Sequence, residues 1–124
     1  MKKLLIIEND IDIVDMVSIL FAGTEFEVIN FDGKISPEKV LSINPSIIIM
    51  DYMLNDGLGS DMCIELKLNE QTRHFPVVLF SARHNLEQIA KDCGADDFVY
   101  KPFDIHNFLK LVNNMALSAA TISS

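Results

Sequence analysis

The chain has 124 residues, of which 49% are hydrophobic, and a formal net charge of −8 at pH 7. This length suits one domain with a single core, and the apolar content excludes disorder of the whole chain. The negative charge argues against direct binding of nucleic acid, and no apolar run approaches the roughly 20 residues that cross a bilayer, so we expect a cytoplasmic protein without membrane association.

Apolar runs alternate with segments of helical spacing along the chain. Leu4–Ile7 is a continuous apolar run of strand length. The next apolar residues recur at helical spacing, and Gly23 can end that helix in a left-handed conformation. Phe26–Phe31 predicts a second strand, which is more polar and therefore expected nearer an edge of the sheet.

A second helix is bounded by clear signals at both ends. Ser36 can cap its first turn, Pro37 suits the first helical position, and Asn44-Pro45 ends it. Ile47–Met50 then forms the most hydrophobic run, which is typical of a central parallel strand that is covered on both faces.

The second half repeats the alternation. A glycine-containing loop precedes a third helix from about Ser60 to Leu68, and Pro76–Phe80 predicts the fourth strand. Residues 85–88 resemble a capping box at the start of a fourth helix, and Gly94 lies where that helix should end.

The last unit comprises a short strand, Phe98–Tyr100, and a helix that Asp104 caps. We predict one domain over residues 1–118, followed by a tail or the start of a linker over residues 119–124. The fold class is therefore α/β, because five strand–helix units imply a doubly wound parallel sheet with helices on both faces.

Polar residues follow four of the predicted strands, where ligands of such sheets bind. They are Glu8-Asn9-Asp10, Asp51, Ser81 and Lys101. Carboxylates that hold Mg²⁺, one of them as a nucleophile, with a hydroxyl and an ammonium group, suit phosphoryl transfer. The alternative is that each residue caps a helix or forms a turn, which for Asp10 alone would be the better interpretation.

In order and spacing these segments resemble the receiver domains of two-component response regulators, over Lys3 to about Met115. The resemblance implies a flavodoxin-like, chemotaxis-regulator-like fold with five strands in the order 2-1-3-4-5. The matching segments are Leu4–Asp10, Ile47–Asp51 with Met53–Gly59, Val77–Ala82, and Gly94–Phe103.

The resemblance also implies roles in phosphorelay signalling. Asp51 matches the position that accepts a phosphoryl group from a histidine kinase or a phosphotransfer protein. Glu8, Asn9, Asp51 and the backbone carbonyl of Met53 match the Mg²⁺ positions. The output domain or target protein is left open, and we expect a signalling switch rather than an enzyme, with at most slow self-dephosphorylation.

The remaining matched positions concern the switch. Ser81 matches the hydroxyl that turns toward the phosphoryl group, and Lys101 matches the lysine that pairs with its oxygen. The bond between Lys101 and Pro102 is expected to be cis. Phe98 matches the aromatic residue whose ring turns inward.

Two residues depart from the family's pattern. Asn55 replaces the usual proline, and we expect only a loss of local stiffness. Asn9 replaces an acidic residue, so Mg²⁺ should bind less tightly, with Asp10 as a possible further ligand. Asn9 is also the only sequence support for an alternative, a degenerate receiver that binds proteins independently of phosphorylation.

Enzymes of similar topology fit the sequence poorly. The segment after the first strand lacks both the Asp-x-Asp nucleophile of haloacid-dehalogenase-type phosphatases and the phosphate loop of flavodoxins, and no P-loop motif occurs. Cys63 and Cys93 lie far apart in the sequence on predicted helices, so we interpret both as reduced core thiols rather than redox or metal-binding groups.

Overall fold

The computed structural model describes the backbone of residues 2–123 and the side chains of residues 2–117. The strands in this part of the chain are β1 (Lys2–Ile7), β2 (Phe26–Phe31), β3 (Ile47–Asp51), β4 (Met53–Leu54), β5 (Gly57–Leu58), β6 (Val77–Ser81) and β7 (Asp97–Tyr100). The helices are α1 (Ile11–Leu20), α2 (Pro37–Ile43), α3 (Gly59–Leu68), α4 (Leu86–Cys93) and α5 (Ile105–Ser123).

Five strands form one parallel sheet in the order β2-β1-β3-β6-β7. The expected order 2-1-3-4-5 is confirmed, because β6 and β7 are the fourth and fifth strands of this sheet. β3 lies at its centre and is buried along its whole length, whereas β2 lies at one edge and is only partly buried. The more polar sequence of β2 follows from this position.

The sequence did not predict the hairpin that follows β3. Met53–Leu54 pairs antiparallel with Gly57–Leu58 in place of the expected loop. Each strand has only two residues, which is too short for an alternating pattern to be recognised. The hairpin stands beside the carboxyl end of β3.

Two apolar layers cover the sheet. On one face α2, α3 and α4 contribute residues such as Val40, Leu66 and Leu86. On the other face α1 and α5 contribute Val17 and Phe108, among others. Successive residues of the central strands point into opposite layers, and burial on both faces explains their unbroken apolar runs.

Several predicted helix ends are confirmed. The Ser36 side chain accepts from the Lys39 amide at 3.2 Å, and Asn44 and Gly94 adopt the left-handed conformation at the ends of α2 and α4. The capping box at α4 is wrong, because Asn85 makes no side-chain capping bond. Its backbone (φ −100°, ψ 22°) departs from the extended geometry that capping requires.

The last helix runs past the predicted domain boundary. The Asn107 amide donates to the Asp104 side chain at 3.1 Å, as expected for a cap, and α5 continues through residue 123. Ser124, the end of the predicted tail, lies outside the described residues. Within residues 2–123 no helix is long and apolar enough to span a membrane.

Candidate functional site

The register of the sheet brings the ends of four strands together. At the carboxyl ends of neighbouring strands, Ile7 pairs with Met50, Asp51 with Phe80, and Ser81 with Tyr100. Because all these strands are parallel, Glu8, Asp51, Ser81 and Lys101 lie at the same edge of the sheet. The polar residues predicted to converge therefore share one crevice.

Asp51 is the centre of this crevice. It ends β3 with 7% of its surface exposed, and its carboxylate lies 3.3 Å from the Lys101 Nζ. The same ammonium group lies 3.5 Å from the Glu8 carboxylate and 4.6 Å from the centre of the Phe80 ring. One cation thus faces two carboxylates, and the aromatic ring restricts where it can move.

The Glu8 carboxyl group has a raised pKa. Burial raises the pKa of its carboxyl group to about 7, and the hydrogen bond and negative charge of Asp51 act in the same direction. The Asp10 amide, which donates to Glu8 at 3.0 Å, and the Lys101 charge oppose this rise in pKa. The crevice therefore has an excess of negative charge that a further cation would relieve.

The donor set fits Mg²⁺, which needs only one or two carboxylates when water completes its coordination. Glu8 and Asp51 would supply the carboxylates, with the Met53 carbonyl as a neutral donor. The Asp10 carboxylate is engaged elsewhere, since it accepts from the Asp12 amide at 3.0 Å and caps α1. Among the described residues, no cluster of three His, Cys, Asp or Glu side chains could hold a metal by itself.

Asn9 bridges three loops. Its Oδ1 accepts a hydrogen bond from the Asn55 amide at 2.9 Å, and its Nδ2 donates to the Asp32 carbonyl oxygen. An aspartate could not make the second bond, because it has no hydrogen to donate. The atom expected to bind metal is therefore already hydrogen-bonded to the hairpin.

The expectation for Asn55 is wrong in one respect. Replacement of the usual proline does more than remove stiffness, because proline has no N–H to donate to Asn9. The two departures from the family's pattern thus form one interaction. No local sequence pattern predicts this contact, which joins residues 46 positions apart.

The residues that match the family's switch positions, Ser81 and Phe98, lie on neighbouring strands. Ser81 is buried, and its Oγ accepts from the Arg83 amide at 3.2 Å. Phe98 lies on β7 at partial burial, in edge-to-face contact with Tyr100. The expected cis bond between Lys101 and Pro102 is confirmed.

Gly59 is a residue of the site that sequence reasoning missed. A Cβ at this position would stand 2.1 Å from the Asp51 carbonyl oxygen. Only glycine therefore allows the start of α3 to lie against the end of β3. The sequence contained an indication of this requirement, because Gly59 directly precedes the predicted third helix.

A family model described as "Response regulator receiver domain" matches residues 4–113. Response regulator ArlR from Staphylococcus saprophyticus is 31% identical over 118 residues, which are 93% of this chain and 52% of that protein. The chain thus spans about half the length of this curated relative.

Solved receiver structures share the fold. The N-terminal receiver domain of a Bacteroides fragilis response regulator is 28% identical, with a TM-score of 0.79 over 94% of this chain and 97% of that one. The receiver domain of the sensor histidine kinase PA1611 from Pseudomonas aeruginosa is 15% identical, with a TM-score of 0.77 over 93% and 97%. In that structure a magnesium ion is coordinated in the active site cleft.

Proposed function

Since the chain belongs to the response regulator receiver domains, we propose that it accepts a phosphoryl group on Asp51 from a histidine kinase or a phosphotransfer protein. The observation that carries this proposal is the buried Asp51 carboxylate, 3.3 Å from the Lys101 ammonium at the carboxyl edge of the sheet. We propose that the protein is located in the cytoplasm and that it controls either another domain or a target protein.

In the proposed reaction an Asp51 carboxylate oxygen attacks the phosphorus of a phosphohistidine. The nitrogen–phosphorus bond breaks, and its electron pair stays on the imidazole of the donor. Lys101 is placed to neutralise a phosphoryl oxygen, which is the main contribution a protein makes to such transfers.

Mg²⁺ is the proposed cofactor, with Glu8, Asp51 and the Met53 carbonyl as its protein ligands. When bound it would offset the negative charge gathered between Asp51 and the donor. The raised pKa of Glu8 supports this, because burial, with a lesser contribution from the nearby Asp51 carboxylate, disfavours the charged form of Glu8 when no metal cation is bound. The magnesium ion in the cleft of the PA1611 receiver is consistent with it.

We further propose that phosphorylation rearranges α4, β7 and α5. Ser81 lies beside the end of β7, where the Lys101 amide donates to the Ser81 carbonyl at 2.9 Å. A Ser81 hydroxyl that turns toward the phosphoryl group gives up its bond from the Arg83 amide at the start of the loop to α4. This difference in contacts is what shifts the equilibrium between two conformations.

The test is phosphorylation by acetyl phosphate and Mg²⁺, with mapping of the acid-labile product. We expect the adduct on Asp51 and none on Asp51→Asn, while Asp56→Asn, in the exposed turn of the hairpin, remains a substrate. Phosphate that persists on Asp51→Asn would overturn the assignment. For the switch, amide shifts with beryllofluoride should reach β7 and α5, and shifts confined to residues 52–58 would contradict it.

A second function, a receiver that binds partners without phosphorylation, is favoured by one observation. The Asn9 oxygen is uncharged and already accepts a hydrogen bond from the Asn55 amide, so it is a weaker ligand for Mg²⁺ than an aspartate would be. Under this alternative, acetyl phosphate leaves wild type unmodified over the Mg²⁺ range in which Asn9→Asp is modified. Phosphorylation of both proteins would exclude it.

A further inference from the structure

The fold brings together the only two cysteines of the chain. Cys63 lies on α3 with none of its surface exposed, and Cys93 ends α4 with 4% exposed. The Cys63 thiol donates to the Cys93 carbonyl oxygen at 3.4 Å, and the Cys93 thiol donates to the Ala90 carbonyl oxygen at 3.5 Å. Two residues that are 30 positions apart in sequence are thus in direct contact.

We propose that Cys63 and Cys93 form a reversible intramolecular disulfide when the protein meets a peroxide, tying the end of α4 to α3. This modification is independent of the phosphoryl transfer proposed above. It assigns a redox role to residues that the sequence suggested were inert core thiols. Transient disulfides of this kind are the form in which such bonds occur in reducing compartments.

The two thiols are not equivalent, which defines the order of events. The neighbouring Cys63 thiol lowers the pKa of Cys93 to about 7, with help from the Ala95 amide and against the effect of burial. The same interaction between the two thiols, together with burial, raises the pKa of Cys63. Cys93 is also the more exposed of the two residues and ends α4, so we assign it as the thiolate that reacts first and Cys63 as the thiol that resolves the product.

The chemistry balances with hydrogen peroxide as the oxidant. The Cys93 thiolate attacks one peroxide oxygen, the oxygen–oxygen bond breaks, and a sulfenic acid and hydroxide result. The Cys63 sulfur then attacks the Cys93 sulfur and displaces the hydroxyl group, which leaves as water with the thiol proton. In total two thiols and one peroxide give one disulfide and two waters.

The position of Cys63 and Cys93 favours a disulfide between them over a metal site or other oxidation products. Cys93 is followed by the exposed Gly94, so the pair lies directly beneath the surface at the end of a short helix. Opening of one helix end is a small local event compared with unfolding of the domain. Within residues 2–123 no third metal-binding side chain joins the two sulfurs, which argues against a metal site.

The test is oxidation of the folded chain with hydrogen peroxide, followed by alkylation in denaturant and peptide mapping. We expect a peptide pair linked through Cys63 and Cys93 that a reductant removes. It should form at least about tenfold faster than in urea, because folding holds the two sulfurs together. Equal rates in the folded chain and in urea would overturn the proposal, as would links between separate molecules only.

Two variants test the order of events. Cys63→Ala should stop at a sulfenic acid on Cys93 that dimedone traps, and Cys93→Ala should leave Cys63 far slower to react. Faster oxidation of Cys63 than of Cys93 would contradict the assignment. The urea comparison uses the wild-type chain, so the proposal remains testable if either variant fails to fold.

Discussion

The interior of the central strands and their carboxyl ends are equally buried but chemically opposite. Residues 4–7, 47–50 and 77–79 are fully buried and apolar, whereas Glu8, Asp51 and Ser81 follow or end the same strands at 2–7% exposure. Burial of the apolar residues stabilises the fold, but burial of the carboxylates raises the pKa of Glu8. The residues that stabilise the fold and the residues proposed to carry the chemistry are thus neighbours on the same strands.

The largest effect is expected in the strand interior. Ile49→Ala should lower the free energy of unfolding by about 2–5 kcal/mol, because it leaves a cavity where Ile49 is fully buried. Ile11→Ala, at a position 64% exposed on α1, is the control and should change it by less than about 0.5 kcal/mol. Urea unfolding measures both, and similar losses would show that burial does not distinguish the two positions.

At the carboxyl end of β1, the substitution Glu8→Gln should raise the free energy of unfolding at high pH in the absence of metal. The folded chain keeps the Glu8 proton up to about pH 7, whereas the unfolded chain loses it near the ordinary value of 4.5. Between these values the unfolded state binds fewer protons, so stability falls as pH rises, by roughly 3 kcal/mol at most. Glu8→Gln should remove this fall and be the more stable protein at pH 8 without metal.

Urea unfolding from pH 4.5 to pH 8 tests this. Glu27→Gln, exposed on β2, is the matched control and should keep the wild-type profile. If Glu8→Gln loses stability with pH as steeply as wild type does, the fall does not come from Glu8.

A smaller effect is expected for Asn9→Asp. The new carboxylate adds charge beside Glu8 and Asp51 and cannot donate to the Asp32 carbonyl, so metal-free stability should fall by about 1–3 kcal/mol. Mg²⁺ should bind this variant more tightly than wild type, as calorimetry would measure. Asn113→Asp, exposed on α5, controls for net charge. Equal Mg²⁺ affinities would remove the argument for a degenerate receiver.

The smallest effect concerns the Asn55 amide. Asn55→Pro removes the N–H that occupies the Asn9 oxygen, and Mg²⁺ affinity should rise roughly fivefold, equivalent to about 1 kcal/mol. Asn55→Ala keeps the N–H and should bind Mg²⁺ as wild type does. Amide shifts during titration would compare the three proteins, and indistinguishable affinities would mean that the bond does not compete with metal.

Local sequence patterns predicted the strands and helix ends that depend on residues close together in the chain. Ile47–Met50 became the central strand because an unbroken apolar run requires cover on both faces, which the sheet provides. Ser36 and Pro37 started α2 because their preferred backbone angles are those of a helix start. The polar residues after four strands converged because the carboxyl ends of parallel strands lie at one edge of the sheet. The order of the strands in the sheet was predicted only from the resemblance to receiver domains.

Contacts between distant segments were decided only by the tertiary structure. Asn85 fits a capping pattern, but the chain approaches α4 with a backbone that prevents the bond. Asn9 meets the Asn55 amide only because a short hairpin turns back beside β1, and Cys63 meets Cys93 only because α3 and α4 pack side by side. Such contacts depend on how whole elements pack, and no local pattern of residue types encodes that packing.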